Sequence, residues 1–163
     1  SDGMCGLLLD WIDRYPIVSI EDPLAEDDQQ GLIRFTAWCG ERIQIIGDDY
    51  FVTNAARVNT GAEVGACNAV LIKPNQAGTI TETYSALDAA RRAGFATIVS
   101  ARSGETEDTT IVHLAVGWNA GQLKVGSFSR SERMAKWNEA LRIEEALGST
   151  ARFAGRAELK SSK

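Results

Sequence analysis

Five short runs of apolar, largely β-branched residues recur along the chain at nearly constant spacing, and this repeat restricts the fold more than any other feature. The runs are Ile17 to Ile20, Ile43 to Ile46, Ala69 to Ile72, Ala96 to Val99 and Gln122 to Val125. Their ends, near residues 21, 48, 73, 101 and 124, lie 23 to 28 residues apart. Amphipathic stretches near 27–39, 54–65, 79–93 and 107–119 separate them, and a further one near 130–147 follows the last. Strands that alternate with helices pair in parallel, because each crossover helix returns the chain to the same end of the sheet. Asn54 and Thr79 are suited to cap helix N-termini, and Gly94 and Gly148 to stop helices. The expected class is α/β, built from consecutive parallel β/α units. A closed eight-unit barrel needs about 250 residues. This chain has 163, so its five units make either an open doubly wound sheet or part of a barrel.

Composition narrows the possible partners. No apolar run approaches the ~20 residues of a membrane span, and the first residues lack the layout of a signal peptide, which leaves the cytoplasm as the expected location. A net charge of −5 with no basic stripe argues against nucleic acid and anionic membranes. An acidic protein still binds an anionic substrate where a metal ion or local lysines neutralise it. Cys5, Cys39 and Cys67 are odd in number, widely spaced and free of any CxxC pairing. They are expected to be small buried residues rather than a disulfide frame or a zinc site. From Ser149 onward, "STARFAGRAELKSSK" loses apolar periodicity. Residues 149–163 are therefore expected to form a loosely held extension of a domain spanning 1–148.

Ligands gather at the carboxyl ends of parallel strands in both architectures. Here those ends carry Glu21-Asp22, Asp48-Asp49, Lys73-Pro74, then Ser100-Ala101-Arg102-Ser103, and Lys124. Solvated surface charges would be scattered over the helices instead. Glu21 and Asp48 are hard oxygen ligands suited to Mg²⁺, which keeps waters and completes its shell with substrate oxygens. A divalent cation disfavours the ammonium form of nearby lysines, and a neutral lysine is a general base. Arg102 and Ser103, with the backbone amides of "RSGET", offer the charge-assisted donors that phosphate prefers. Metal, lysine base and anion clamp together suit removal of a proton α to a carboxylate and retention of the resulting enolate.

The segments "YPIVSIEDPLAEDD", "GDDYFVTN", "LIKPNQAGTITET", "SARSGETEDTT" and "SRSERMAKWNEALRIEEALG" resemble, in unbroken order, the C-terminal barrel half of the enolase family. The resemblance runs from about Ser1 through Gly148. It implies part of a TIM-like barrel and a Mg²⁺-dependent lyase that interconverts 2-phosphoglycerate and phosphoenolpyruvate in glycolysis, usually as a dimer. It also implies roles: Glu21 and Asp48 as two of three metal carboxylates, Lys73 as the base at C2, Lys124 on the substrate carboxylate, Arg102 and Ser103 on phosphate. A lysine base with Mg²⁺ is the general pattern of this superfamily.

Two departures accompany the likeness. The family's third metal carboxylate, its general-acid side and its capping domain lie upstream of the units seen here. The family also carries histidine where this chain has Ala101, so one substrate-facing donor is replaced by a methyl group.

Several residues have plainer expected roles. His113, the single histidine, falls within a helix and not at a strand end, as a surface or packing residue. Trp11, Trp38, Trp118 and Trp137 lie in helical patterns or at their ends, where packing or a subunit contact is expected. Glu105, Glu107 and Asp108 precede or open a helix, where carboxylates complement its dipole. Asp49 is a supporting or alternative carboxylate beside Asp48, and Lys163, although it resembles the terminal lysines through which some surface-displayed enolases contact plasminogen, is expected to be a frayed end. A receiver-like signalling module would also have five strands, an acidic pair and a Lys-Pro. In that module a phosphate-accepting Asp closes the third strand, where this chain has Lys73-Pro74, so the order is wrong. The other rival is a non-catalytic interaction fragment, whose two raw strand edges would need a partner.

Overall fold

The computed structural model describes residues 1–160. Its five strands, β1 (Ser19–Glu21), β2 (Gln44–Gly47), β3 (Ala69–Ile72), β4 (Ala96–Ser100) and β5 (Gly121–Lys124), form one parallel sheet in sequential order. Helices α1 (Asp2–Arg14), α2 (Gln29–Cys39), α3 (Ala55–Val64), α4 (Pro74–Ala77), α5 (Ile80–Arg92), α6 (Thr110–Gly117) and α7 (Ser131–Leu147) complete the chain up to two 3₁₀ turns, Gly148–Thr150 and Gly155–Glu158.

Local chemistry sets the boundaries. Asn54 Oδ1 accepts from Arg57 N at 3.1 Å and Thr79 Oγ1 from Glu82 N at 3.1 Å, so both expected caps are made. Gly94 has φ +72° just beyond α5, and Gly148 has φ +53° at the end of α7, conformations that cost a glycine little. The first strand begins two residues later than its apolar run, because Ile17 N closes a tight turn onto Tyr15 O at 2.7 Å. Helix α1 lies outside the amphipathic stretches marked in the sequence, although Trp11 is expected in or beside a helical pattern. Its buried residues are only Cys5, Leu8 and Ile12, a narrow stripe beside exposed Met4, Leu7 and Trp11.

Alternate strand residues face opposite sides of a sheet. Ile45, Val70, Ile72 and Val99 join Phe35, Phe51, Val58, Leu87 and Val112 from the covering segments in the main core. Ile46, Ala69, Leu71 and Ile98 form a smaller cluster on the other face. Phe51 seats α3 closely on β2, since a Cβ on either Gly47 or Gly61 would stand 2.4 Å from its ring.

The second face is concave. Gln44 of β2 and Gln122 of β5, which are not sheet neighbours, exchange amide hydrogen bonds of 3.1 and 2.9 Å across it. At the opposite end of the strands Lys124 of β5 reaches Glu21 of β1. Sequential order with this curl defines a half-barrel and rules out the doubly wound alternative, whose order reverses at a switch point. Gln122 Nε2 also donates to Glu158 O at 3.0 Å, and Lys160 N to Gln44 Oε1 at 3.3 Å, so the segment after α7 tucks under the amino ends of the strands.

All three cysteines are buried and unpaired, as expected. Burial pushes the Cys39 thiol from its ordinary 9.0 up to about 11 and the Cys67 thiol up to about 12. The folded chain therefore binds more protons than the unfolded chain above about pH 9, and stability present below that pH is lost as pH rises toward 11 and 12. The slope is about 1.4 kcal/mol per pH unit for each thiol. Urea unfolding followed across this window is expected to show the decline, with a shallower slope in a Cys39→Ala, Cys67→Ala chain. Equal slopes would refute it.

Candidate active site at the carboxyl ends of the strands

The carboxyl ends of the strands open onto a cleft of about 600 Å³, lined by Glu21, Asp48, Lys73, Ala101, Arg102, Ser103 and Lys124 together with residues of the segment after β5. All six residues singled out from sequence thus meet in one place, from positions up to 103 residues apart.

Lys73 and Asp48 form the inner part. The Lys73 ammonium donates to Asp48 Oδ2, and the two side chains are only 9% and 10% exposed. Gln76 Nε2 donates to Asp48 Oδ1 at 3.0 Å, Thr53 Oγ1 donates to Gln76 Oε1 at 2.6 Å, and Lys73 N donates to Thr53 Oγ1 at 2.9 Å. The four residues close a ring that fixes both charged groups. Sequence reasoning missed Thr53 and Gln76. Gln76 was findable, since Pro74 at the start of α4 sets a single turn that carries residue 76 back over Lys73. Thr53 carried no signal. Its φ of 53° follows Val52 at 44°, two successive left-handed residues without glycine, a strained loop that the ring holds in place.

The outer part is more open. Lys124 Nζ lies 2.6 and 2.5 Å from the two oxygens of Glu21, with side chains 46% and 29% exposed. Arg102 and Ser103 are exposed at the cleft wall, on the loop between β4 and α6. Ala101 is 7% exposed; its N–H donates to Lys124 O at 2.9 Å, and its side chain packs in the main core while lining the cleft.

The remaining candidates separate cleanly. His113 is exposed on α6 and meets Glu139 of α7 at 3.0 Å, away from the cleft. Tyr84 packs edge-on to Trp118, and Phe128 stacks on Trp137. Hydrogen bonds from the Thr110 backbone and hydroxyl hold the Asp108 carboxyl below its usual value, in keeping with a place ahead of α6. Glu105 departs from the expected helix-dipole role: it is drawn inward onto Lys136 at 3.1 Å and accepts from Arg102 N at 2.8 Å. Lys163 lies outside the described residues.

The donor set suits a hard divalent cation. Glu21 and Asp48 put carboxylate oxygens on the same cleft. Among the described residues, the group of three carboxylates that approach within 4.8 Å of one another is Asp22, Asp48 and Asp49. Asp22 is already committed there, accepting from Asp48 N at 2.8 Å and Asp49 N at 3.0 Å, which leaves Asp48 as the member facing the cleft.

A parallel β/α half-barrel with carboxylates, lysines and an arginine gathered at the carboxyl ends of its strands defines a TIM-barrel domain of the kind that carries its site on that rim. The family described as "Enolase, C-terminal TIM barrel domain" matches residues 1–162, and the chain belongs to it. The protein named Enolase 1 of Desulfitobacterium hafniense (strain Y51) is 59% identical over 153 residues, 94% of this chain and 35% of that relative. The chain thus spans about a third of the length of the curated relative it matches.

Proposed function

We propose that this chain supplies the base, the carboxylate anchor and the phosphate clamp of a Mg²⁺-dependent lyase that dehydrates 2-phospho-D-glycerate to phosphoenolpyruvate. The convergence of Lys73, Lys124, Arg102 and Ser103 with two carboxylates on one cleft carries the reading. Lys73 Nζ takes the proton from C2 when it is in its neutral amine form, becoming the ammonium, and the buried ring through Asp48, Gln76 and Thr53 keeps that nitrogen where the proton will be. Lys124 holds the substrate carboxylate as it gains enolate charge, and Arg102 with Ser103 fixes the phosphoryl group. Mg²⁺ held by Glu21 and Asp48 would neutralise the developing dianion. A cytoplasmic enzyme working as a homodimer or larger oligomer fits the same family reading.

Ala101 favours a second reading, a weak or altered-substrate member of the family, because a methyl group stands where a donor would serve the substrate. The resemblance assigns Glu21 and Asp48 to two of its three metal carboxylates and assigns none of the residues named here as the general acid. The 163-residue chain alone is therefore expected to turn over little or not at all, while the longest product of the intact reading frame converts 2-phosphoglycerate to phosphoenolpyruvate with Mg²⁺. Silence from that longer product, with Mg²⁺ binding intact, would move the reading to another phosphorylated hydroxy acid. Brisk turnover by the 163 residues alone would overturn that expectation.

A further inference from the structure

Two cations of α7 hold the loop that presents Arg102 and Ser103. Lys136 has 0% side-chain exposure, an unusual place for a lysine. Its ammonium lies 3.1 Å from Glu105 Oε2 and donates to Thr106 O at 2.8 Å and Glu132 O at 3.0 Å, so each of its N–H groups has an acceptor. Glu105 passes the constraint on, since its other oxygen accepts from Arg102 N at 2.8 Å and from Asn75 Nδ2 at 3.3 Å. One turn earlier on α7, Arg133 donates to Val125 O at 2.9 Å, Arg102 O at 2.8 Å and Ser103 O at 3.2 Å. Its guanidinium thereby ties the loop after β4 to the loop after β5.

Desolvating an ammonium is costly, and a leucine or methionine would fill the same space without that cost. Holding the loop is what the charge adds. Residues 102–106 have no strand or helix of their own, and unsupported loops are mobile. An anion clamp works best when its donors are already in place, because ordering them on binding subtracts from affinity.

We propose that Lys136 and Arg133 are positioning residues, which act through Glu105 and the loop carbonyls to keep Arg102 and Ser103 preset for a phosphoryl group. The inference rests on the reading of the cleft as a phosphate site. It is tested on the chain with Lys136→Met and Glu105→Gln, by titration with inorganic phosphate and by amide hydrogen exchange. Both variants are expected to speed exchange of the Arg102 amide and its loop neighbours at least about tenfold, with β3 and β4 unchanged. Phosphate binding should weaken about tenfold. A contact that only supports the fold would lower stability without moving the phosphate affinity of the folded chain. Should Lys136→Met fail to fold, Glu105→Gln decides, because it leaves the two carbonyl bonds of Lys136 in place. Loop exchange and phosphate affinity within about twofold of the parent in a folded variant would overturn the inference, as would unfolding of both variants. A parent chain that binds no phosphate would instead overturn the proposed function, while the exchange comparison would still decide the positioning role.

Discussion

Lys73→Met is expected to lower the unfolding free energy by about 3 to 5 kcal/mol and, on the proposed role of Lys73 as the base, to abolish turnover. The stability loss comes from Asp48, whose side chain is 10% exposed and would keep its charge without its partner. Gln76 would still donate to Oδ1, but a neutral amide does not balance a desolvated carboxylate. On a total of about 5 to 15 kcal/mol this is a severe loss. Adding Asp48→Asn to Lys73→Met is expected to return most of the stability, because the orphaned charge is gone and the amide can still bond Gln76 after a flip. Turnover should stay absent. Chemical denaturation of the parent, the two single variants and the double variant checks this. A Lys73→Met chain as stable as the parent would mean that the pair is water-filled and weak. A double variant no better than the single one would mean that the ring, and not the charge, carries the energy. If both expectations hold, the ion pair is there for chemistry, since neutral groups serve the fold as well.

Most of the frame was legible because it rests on period. Every apolar run in the sequence became a strand, and the order of charged residues at the run ends survived folding as a rim around one cleft. What could not be read was curvature. Whether five sequential strands lie open or curl depends on side chains that meet across the concave face, and the Gln44 to Gln122 amide pair joins positions 78 residues apart. Supports of the site were hidden for the same reason. Lys136 was not singled out within the stretch near 130–147, and only the packing of α7 against the loop after β4 makes it a fully buried cation. Glu105 read as a helix-start carboxylate until that same packing turned it inward. The extent of helix α1, signalled only at Trp11, was hidden on different grounds: a stripe of three buried residues is too narrow to stand out where exposed Met4, Leu7 and Trp11 blur its polar face.

If the proposed lyase function holds, Ala101→His is expected to raise kcat/KM for phosphoenolpyruvate formation about 10²-fold, the usual effect of restoring one donor aimed at developing charge. Ala101 N is pinned to Lys124 O at 2.9 Å, so the backbone at this position is set by β5 and should not move with the side chain. The added ring has two directions open to it. Toward the cleft, the 600 Å³ cavity accepts an imidazole, and its N–H would face the wall formed by Arg102 and Ser103. Toward the main core it would overpack residues already in contact, at about 1 to 3 kcal/mol. Thermal unfolding beside the rate assay separates these cases. A higher rate with unchanged unfolding temperature would mean that the cleft is still shaped for 2-phosphoglycerate and lacks only the donor. An unchanged rate with unchanged stability would mean that the ring occupies the cleft but finds no charge to stabilise, which is the mark of a site retuned for a different substrate. The alanine would then be the specificity element of the cleft, because the volume it vacates is bounded by the same arginine, serine and lysine that any phosphorylated acid would still need.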